Sequence, residues 1–353
     1  MTMRKELLPA LSSLLFLCVL LESTSLLLFS TRVGKKYLPG LWSMDCDASW
    51  RSRWEMRHVG KMLPDPYKYD VYDPHRGWAL KPSLADLRLP KGNTLTTNSK
   101  GTRGAKEYRY GKSEKQRILI LGDSFTFGED VSDKETYSHY LQEMLPFTEV
   151  INFGVHGYGH DQMLLYLKEE GLKYKPDLVI LGFVDQDMSR NLLAFRDYSK
   201  PKYELAHSGL VLENYPVPPP EAVLGSGRFR PGAVDLLVIL YYGLKHRLGL
   251  EKKETEEITA AILNELAVQA RNMGAIPLFI HLPVGGQMAR PEEGTFLQEF
   301  CRDKKIAYGS LDPYFLSETR GKGALGKTKH WSAGEHYLAA RAIRKFILPY
   351  LGK

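Results

Sequence analysis

The chain of 353 residues contains only three cysteines, Cys18, Cys46 and Cys301. They lie far apart, so they form neither the closely spaced ligand set of a tetrahedral metal site nor a dense disulfide framework. Cys46 and Cys301 would be able to pair in an oxidising compartment, although the sequence alone does not establish such a bond. The sequence also lacks a P-loop, a Gly-x-Gly-x-x-Gly dinucleotide turn and a clustered metal-ligand pattern. It therefore predicts no cofactor and no bound metal.

The chain also has little excess of one charge, with 48 Lys and Arg against 41 Asp and Glu and a net charge of +7. The basic residues are scattered, without zinc-finger spacing, an aromatic RNA-binding box or a long basic run. We therefore do not expect nucleic acid as a partner. An excess of this size is typical of a solubility feature or of affinity for acidic polymers and membrane surfaces.

Long apolar runs are absent except at the amino terminus, where residues 7–29 have little polarity. This length is enough for one membrane-spanning helix, which needs about 20 apolar residues. Ser23-Thr24-Ser25 has the small-x-small pattern of a signal-peptidase site. Residues 1–36 are thus interpreted as an uncleaved signal anchor or a cleaved signal peptide with a basic flank. In either case we expect the remaining chain outside the cytoplasm, as a membrane-anchored periplasmic or extracellular domain or as a secreted protein.

Two regions of different pattern follow this segment. Residues 37–115 are rich in Pro, Gly, Tyr and Trp, and we interpret them as an irregular extension that packs on the main domain. Residues 116–350 alternate short apolar runs with amphipathic segments, which predicts an α/β domain with a parallel five-stranded sheet. The predicted strands are 118–121, 150–153, 178–181, 276–281 and 306–309, and the predicted helices are 136–145, 160–174, 256–273, 294–303 and 333–348. Sites on such sheets lie outside the carboxyl ends of the strands.

Residues 187–234 depart from this alternation. Residues 203–212 have the pattern of a hairpin that turns at Ser208-Gly209, and Pro-rich and Gly/Arg-rich stretches follow. A connection this long after a strand is typical of a functional lid or a disordered stretch. Because it leaves the third predicted strand at its carboxyl end, we expect this insertion to form a wall of a substrate cleft.

The strongest chemical signal is Gly122-Asp123-Ser124, which ends the apolar run that begins at Ile118. A serine at the tip of a parallel strand is exposed, and the backbone N–H groups of the turn there can face developing negative charge. Alone, the tripeptide would be typical of a turn or a helix cap. Two further motifs favour a nucleophile.

With these motifs, residues 68–348 resemble the SGNH/GDSL hydrolase family. The family's first block is Gly-Asp-Ser, its second is a glycine after the second strand, matched by Gly154, and its last is a histidine before a helix, matched by His330. The resemblance implies a flavodoxin-like three-layer α/β/α fold. It also implies that Ser124 is the nucleophile and His330 its general base, and that the N–H groups of Ser124 and Gly154 form part of an oxyanion hole.

Two positions depart from the family's pattern. Gln186 stands where the family has an Asn that donates to the oxyanion, and it carries the same amide on a longer stem. The family's aspartate, two or three residues before the histidine, is replaced by Thr328 and Lys327. Thr328 can accept a hydrogen bond from the imidazole but supplies no charge. Candidates that would orient His330 from elsewhere in the chain are Asp312, Asp185 and Glu335, and a Ser-His dyad also stays open.

Two functions of different class follow. The first is an extracytoplasmic serine esterase, or an acyltransferase with the same acyl-enzyme chemistry, acting on a small ester or on the acyl esters of a cell-surface carbohydrate, as the resemblance implies. The alternative is a catalytically impaired protein of this fold that binds polysaccharide or serves in assembly, which the missing aspartate and Gln186 favour. Trp331 would be able to stack on a sugar ring, but core packing is the favoured role.

Overall fold

The structure is a computed structural model that describes residues 2–29, 45–58, 69–89, 91–207, 209–227, 231–284, 295–319 and 330–352. Its helices are α1 (Thr2–Phe29), α2 (Asp47–His58), α3 (Ser124–Phe127), α4 (Tyr137–Met144), α5 (His160–Glu169), α6 (Asp187–Arg190), α7 (Pro220–Gly227), α8 (Gly232–Arg247), α9 (Lys252–Asn272), α10 (Phe296–Asp303), α11 (Asp312–Thr319) and α12 (Ala333–Ile347). Its strands are β1 (Asp70–Asp73), β2 (Gly77–Leu80), β3 (Leu87–Arg88), β4 (Thr94–Leu95), β5 (Gln116–Gly122), β6 (Thr148–Gly154), β7 (Leu178–Phe183), β8 (Phe195–Arg196), β9 (Tyr198–Ser199), β10 (Lys202–Ala206), β11 (Gly209–Glu213), β12 (Ile276–His281) and β13 (Ala307–Ser310).

The residues group into two compact units that do not follow the predicted boundaries at 36 and 115. The sheet unit consists of Tyr69–Leu192, Pro201–Pro216 and Thr255–Lys353. The helical unit consists of Met1–Lys68, Leu193–Lys200 and Val217–Glu254. The predicted extension is therefore divided between the units, and so is the predicted 187–234 insertion.

The predicted five-stranded parallel sheet is confirmed in the sheet unit. Its order is β13-β12-β7-β5-β6, with parallel pairing between all neighbours. In order along the chain this is 2-1-3-4-5, the flavodoxin-like arrangement, in which the order reverses at the first strand. The carboxyl ends of β5, β6 and β7 therefore meet at one edge, and the residues that follow these strands lie there.

Helices cover both faces of this sheet because successive side chains of a buried strand point to opposite faces. Ile118 and Ile120 of β5 pack in one core with α4, α11 and α12. The alternate residue Leu119 lies on the other face, beside Gly171 at the end of the α5 segment. Trp331 is buried in the first core, in ring contact with Phe125 and Phe315, which confirms its predicted packing role.

The first part of the sheet unit, residues 69–115, is fastened to the turn after β6. Trp78 Nε1 donates to the carbonyl of His156 at 3.1 Å, and His156 Nε2 lies 2.8 Å from Asp70 Oδ1, both side chains being buried. The predicted hairpin is confirmed by its strands, since β10 and β11 pair antiparallel from Lys202–Glu213 to Ala206–Gly209, while Ser208 of the predicted turn lies outside the described residues.

The helical unit contains three helices that the sequence analysis did not identify, α2, α7 and α8. The apolar residues Cys46, Ala48 and Ile239 form a small core between α2 and α8. Helix α1 includes Pro9–Leu28, which is long and apolar enough to cross a membrane, with a mean hydropathy of 2.0. Cys46 and Cys301 are both free thiols and lie in different units. Burial raises the pKa of Cys46 to about 11 and that of Cys301 to about 12.

Candidate active site

Ser124 lies at the sharp turn between β5 and α3. Asp123 caps α3, and its side chain accepts a hydrogen bond from the Phe125 N–H at 2.9 Å. The end of β6 packs closely against this turn, because a Cβ atom on Gly154 would lie 2.2 Å from the backbone nitrogen of Phe127. Glycine at position 154 thus lets the nucleophile turn approach the neighbouring strand.

His330 meets Ser124 across the sheet edge, as predicted for a nucleophile and its base. Nε2 of His330 lies 3.0 Å from Oγ of Ser124, within hydrogen-bond distance. His330 comes just before α12, whose start is fixed by a capping box between Ser332 and Glu335. Glu335, a candidate partner of His330 in the sequence analysis, is therefore engaged in capping this helix.

An acidic pair that the sequence analysis did not consider lies beside the histidine. Asp130 Oδ2 is 3.4 Å from His330 Nδ1, the ring nitrogen opposite Ser124. Glu129 Oε2 is 3.6 Å from His330 Nε2. The signal in the sequence was two adjacent carboxylates only five and six residues after Ser124. Thr328 and Lys327, the predicted position of the acid, lie outside the described residues.

The loop that carries Asp130 is held by the 69–115 segment of the sheet unit. The buried guanidinium of Arg103 donates to the carbonyls of Phe127 and Gly128 and, at 2.7 Å, to that of Val131. The Asn93 side-chain amide donates to the carbonyls of Glu129 and Val131, each at 3.1 Å. These bonds fix the backbone on both sides of Asp130.

A lysine shares the carboxylate of Asp130 with the histidine. Lys91 Nζ donates to Asp130 Oδ2 at 2.6 Å, and the Lys91 side chain is largely exposed. An exposed pair of this kind is weak, about 0–1 kcal/mol. Asp130 therefore remains able to stabilise a positive charge on His330.

Asp185 and Asp312, the other candidates for orienting His330, contact a different histidine. His281 ends β12, and its Nδ1 lies 2.5 Å from Asp312 Oδ2 while its Nε2 lies 2.9 Å from Asp185 Oδ2. Ser310 Oγ also donates to Asp312 at 2.5 Å. Burial of His281 opposes its protonation, but the hydrogen bonds to the two carboxylates prevail and raise its pKa to about 9. The half-exposed Asp185 and the buried Asp312 thus form a charged cluster around the buried His281.

A buried arginine lies behind the nucleophile. Nη1 of Arg190 is 3.4 Å from Asp123 Oδ2 and 2.9 Å from the Tyr158 carbonyl, and it also pairs with Asp187. The same oxygen of Asp123 is 3.3 Å from Ser124 Oγ. Asp123 and His330 are thus alternative hydrogen-bond partners of the Ser124 hydroxyl. Arg190 contacts the same carboxylate of Asp123.

The predicted oxyanion donors have different surroundings. The Gly154 N–H, which was predicted to donate to the oxyanion, instead donates to Asn152 Oδ1 at 2.8 Å. Ser124 begins α3, so its N–H lies in the first turn, where backbone donors are not used within the helix. Gln186 follows β7 at the same sheet edge, precedes α6 and is exposed.

The remaining histidines near this edge are buried. His156, His160 and His336 are each at most 1% exposed, so none of them is a surface residue. Burial lowers the pKa of His160 to about 3, and does the same for His336. Within the described ranges, no group of three or more His, Cys, Asp or Glu side chains has an arrangement suited to a metal ion.

Comparison with known proteins gives matches among solved structures alone. No protein-family model matches the chain, and no curated protein matches it. The crystal structure of TesA matches 67% of this chain and 100% of its own, with 16% identity and a TM-score of 0.40. An acetylxylan esterase from Geobacillus stearothermophilus matches 69% of this chain and 100% of its own, with 13% identity and a TM-score of 0.41. A GDSL-like lipase from Bacteroides thetaiotaomicron matches 69% and 93%, with 14% identity and a TM-score of 0.38.

Proposed function

We propose that this chain is a serine ester hydrolase of the SGNH/GDSL family, with Ser124 as nucleophile, His330 as base and Asp130 as the acid. The observation that carries the proposal is the 3.0 Å contact between Ser124 Oγ and His330 Nε2. These side chains are 206 residues apart in the sequence and meet at the sheet edge where such sites form. The Gly-Asp-Ser, glycine and histidine motifs of the sequence support the same family.

In the first step, Ser124 Oγ attacks the carbonyl carbon of an ester and its proton passes to Nε2 of His330. The imidazolium that forms is stabilised by Asp130, whose carboxylate faces Nδ1 at 3.4 Å. His330 then returns the proton to the leaving alcohol as the C–O bond breaks, which leaves an acyl group on Ser124. A weak nucleophile with a base in hydrogen-bond reach, oriented by a third group, is the arrangement that this chemistry requires.

The negative oxygen of the tetrahedral intermediate faces the start of α3. The Ser124 N–H is one donor, and the side-chain amide of Gln186 is the second. Removing a single oxyanion donor typically lowers turnover by about 100- to 1000-fold. Gly154 is not given this role, since its N–H is bonded to Asn152.

Water or another hydroxyl, activated by His330, releases the acyl group and regenerates Ser124. Hydrolysis and transfer differ only in that acceptor. We propose an acyl ester of a cell-surface carbohydrate as substrate, on the basis of the motif resemblance. The apolar α1 supports an extracytoplasmic enzyme held at the membrane, because it has the length and hydropathy of a membrane span. The β10–β11 hairpin is proposed as a wall of the cleft.

The proposal is tested with nitrophenyl acetate and with a fluorophosphonate probe that labels an activated serine. Wild type should hydrolyse the ester and take up the probe, and Ser124→Ala should do neither. Ser138→Ala is the matched control, since Ser138 is also a buried serine of the sheet unit and its Oγ accepts a hydrogen bond from the Asn152 side-chain amide at 2.8 Å. Well-folded wild-type protein that shows neither activity nor labelling would favour the non-catalytic polysaccharide-binding alternative.

A further inference from the structure

Helix α8 has apolar side chains on two opposite faces, and only one of them is packed. Leu236 and Ile239 are at most 6% exposed on the packed face, and Ile239 lies against Cys46 and Ala48 of the α2 region. The opposite face carries a stripe of large apolar residues at helical spacing, which we call the α8 stripe. It consists of Val234, Leu237, Tyr241, Leu244 and Leu248, which are 43%, 54%, 61%, 58% and 61% exposed. A contiguous apolar face of this kind marks an interaction surface.

The amino end of α8 is joined to α1 by polar contacts. Both carboxylate oxygens of Glu22 accept hydrogen bonds from the first turn of α8, from Gly232 N–H at 3.0 Å and Ala233 N–H at 2.9 Å. Beside them Ser25 is fully buried, and a Cβ on Gly232 would lie 2.6 Å from its Oγ. The single carboxylate of the apolar segment is thus used to cap α8, and the two helices approach closely at a small residue.

The position of this junction along α1 locates α8 relative to the apolar segment. Residues 9–20 of α1 are exposed throughout, whereas residues 21–28 are partly covered. Helix α8 therefore meets α1 near its carboxyl end, about where a membrane-spanning helix leaves the hydrocarbon. The α8 stripe begins at that level and continues for four helical turns.

Basic residues lie at the other end of α8. Lys245, His246 and Arg247 occupy its last turn, and Lys252 and Lys253 follow. Two carboxylates lie among them, since Lys245 Nζ donates to Glu254 at 2.8 Å and His246 Nδ1 is 3.8 Å from Glu251, so the cationic excess here is small. Basic groups beside an apolar helix face are attracted to the anionic headgroups of a bilayer, each contributing about 1 kcal/mol. An exposed apolar stripe that ends in cations is the pattern of a helix lying at a membrane surface.

From these contacts we propose that α8 is an interfacial helix whose stripe rests in the surface of the lipid bilayer. This inference rests on the proposed membrane anchoring by α1 and adds a second membrane contact, held to the anchor by Glu22. The bilayer is the occupant because α8 begins at its junction with the apolar helix α1 and its exposed apolar stripe ends beside basic residues. The helical unit would then be fastened to the membrane at two places rather than by one tether.

The test uses the full chain in vesicles of phosphatidylcholine and phosphatidylglycerol that contain a lipid with a shallow nitroxide. In a Cys18→Ala background, single cysteines at Leu237→Cys and Leu244→Cys are labelled with an environment-sensitive fluorophore. His246→Cys is the matched control, because the His246 side chain is 76% exposed but lies on another face of the same helix. Leu15→Cys reports on the anchor itself. The buried thiols of Cys46 and Cys301 should stay unlabelled, which the background protein verifies.

The expected result is quenching of the Leu237 and Leu244 labels that is several-fold stronger than quenching at His246. Quenching of the Leu15 label without this difference on α8 would overturn the inference and leave the anchor intact. An unquenched Leu15 label would overturn the anchoring itself. Shielding of the stripe labels from iodide without lipid, increasing with protein concentration, would assign the stripe to a second copy and also overturn the inference.

Discussion

His330 Nδ1 faces Asp130 Oδ2 at 3.4 Å, so the acid of the proposed triad comes from the loop just after the nucleophile. We expect Asp130→Asn to lower kcat for nitrophenyl acetate by about 100-fold or more, since amide replacement of a triad aspartate in serine proteases costs about 10⁴-fold. The control Glu129→Gln changes a carboxylate of the same loop and should have a smaller effect. Equal effects of the two variants, measured by steady-state kinetics, would remove the special role of Asp130.

The sequence position where the family places its acid gives a rescue experiment. In the Asp130→Asn background, Thr328→Asp should restore part of the lost turnover, because a carboxylate two residues before His330 would again stabilise the imidazolium. Thr328→Asn supplies a similar shape without charge and should not restore it. Turnover at neutral pH distinguishes the two, and rescue by both substitutions would contradict an electrostatic role.

Arg103 should affect catalysis through the loop that it holds. Arg103→Gln removes the donors to the carbonyls of Phe127, Gly128 and Val131, so we expect lower kcat together with lower stability. Arg117→Gln is the matched control, since Arg117 is also a buried guanidinium, paired with Glu149 at the other end of β5. Arg103 is also ion-paired, with Asp133 at 3.0 Å, so each substitution breaks a buried ion pair, which typically costs about 3–5 kcal/mol.

Thermal unfolding and kcat of the folded fraction separate the two contributions. Both variants should lower the unfolding midpoint, but only Arg103→Gln should lower kcat of the protein that remains folded. A comparable loss of kcat in Arg117→Gln would show that the loss follows from general destabilisation and not from displacement of the acid loop.

The His281 cluster should make stability depend on pH in the alkaline range. The folded pKa of His281, raised to about 9 by Asp185 and Asp312, lies above its ordinary value of 6.5. The protonated form therefore stabilises the folded state fully below pH 6.5, and this stabilisation is lost as the pH rises through about 9.

Urea unfolding at a series of pH values measures this effect. We expect the free energy of unfolding to fall by about 1–3 kcal/mol across that range, since one pKa unit corresponds to about 1.4 kcal/mol and the half-exposed Asp185 is screened by solvent. His281→Asn should be less stable at low pH and should lack this part of the dependence. Parallel pH profiles of wild type and variant would contradict the assignment.

The elements that could be predicted from the sequence are those whose pattern is local. Apolar runs such as 118–121 and 276–281 identified the sheet strands to within two residues at each end, because buried parallel strands need continuous apolar residues. Helix α8 could not be identified in this way. It is apolar on both faces, so the periodicity that marks an amphipathic helix is weak.

The same distinction holds for the candidate site. Ser124 and His330 stand in short motifs, and their contact follows from strand order. The roles of Asp130 and Arg190 depend on how a loop and a short helix fold back on the nucleophile turn. A local sequence pattern does not predict this folding back. Asp312 and Asp185, two of the candidates for orienting His330, follow β13 and β7 at this sheet edge. Their partner His281 ends the intervening strand, and its burial there decides which histidine they contact.

The fastening of the 69–115 segment to the turn after β6 has a consequence for biosynthesis. Trp78 and Asp70 bind at His156, which is made 78 and 86 residues later. A ribosome adds residues one at a time, so Trp78 and the fully buried Leu95 emerge well before the surface that covers them exists. For that interval the nascent chain displays the uncovered side chains of Trp78 and Leu95, which are targets for a chaperone until the residues that pack on them have been made.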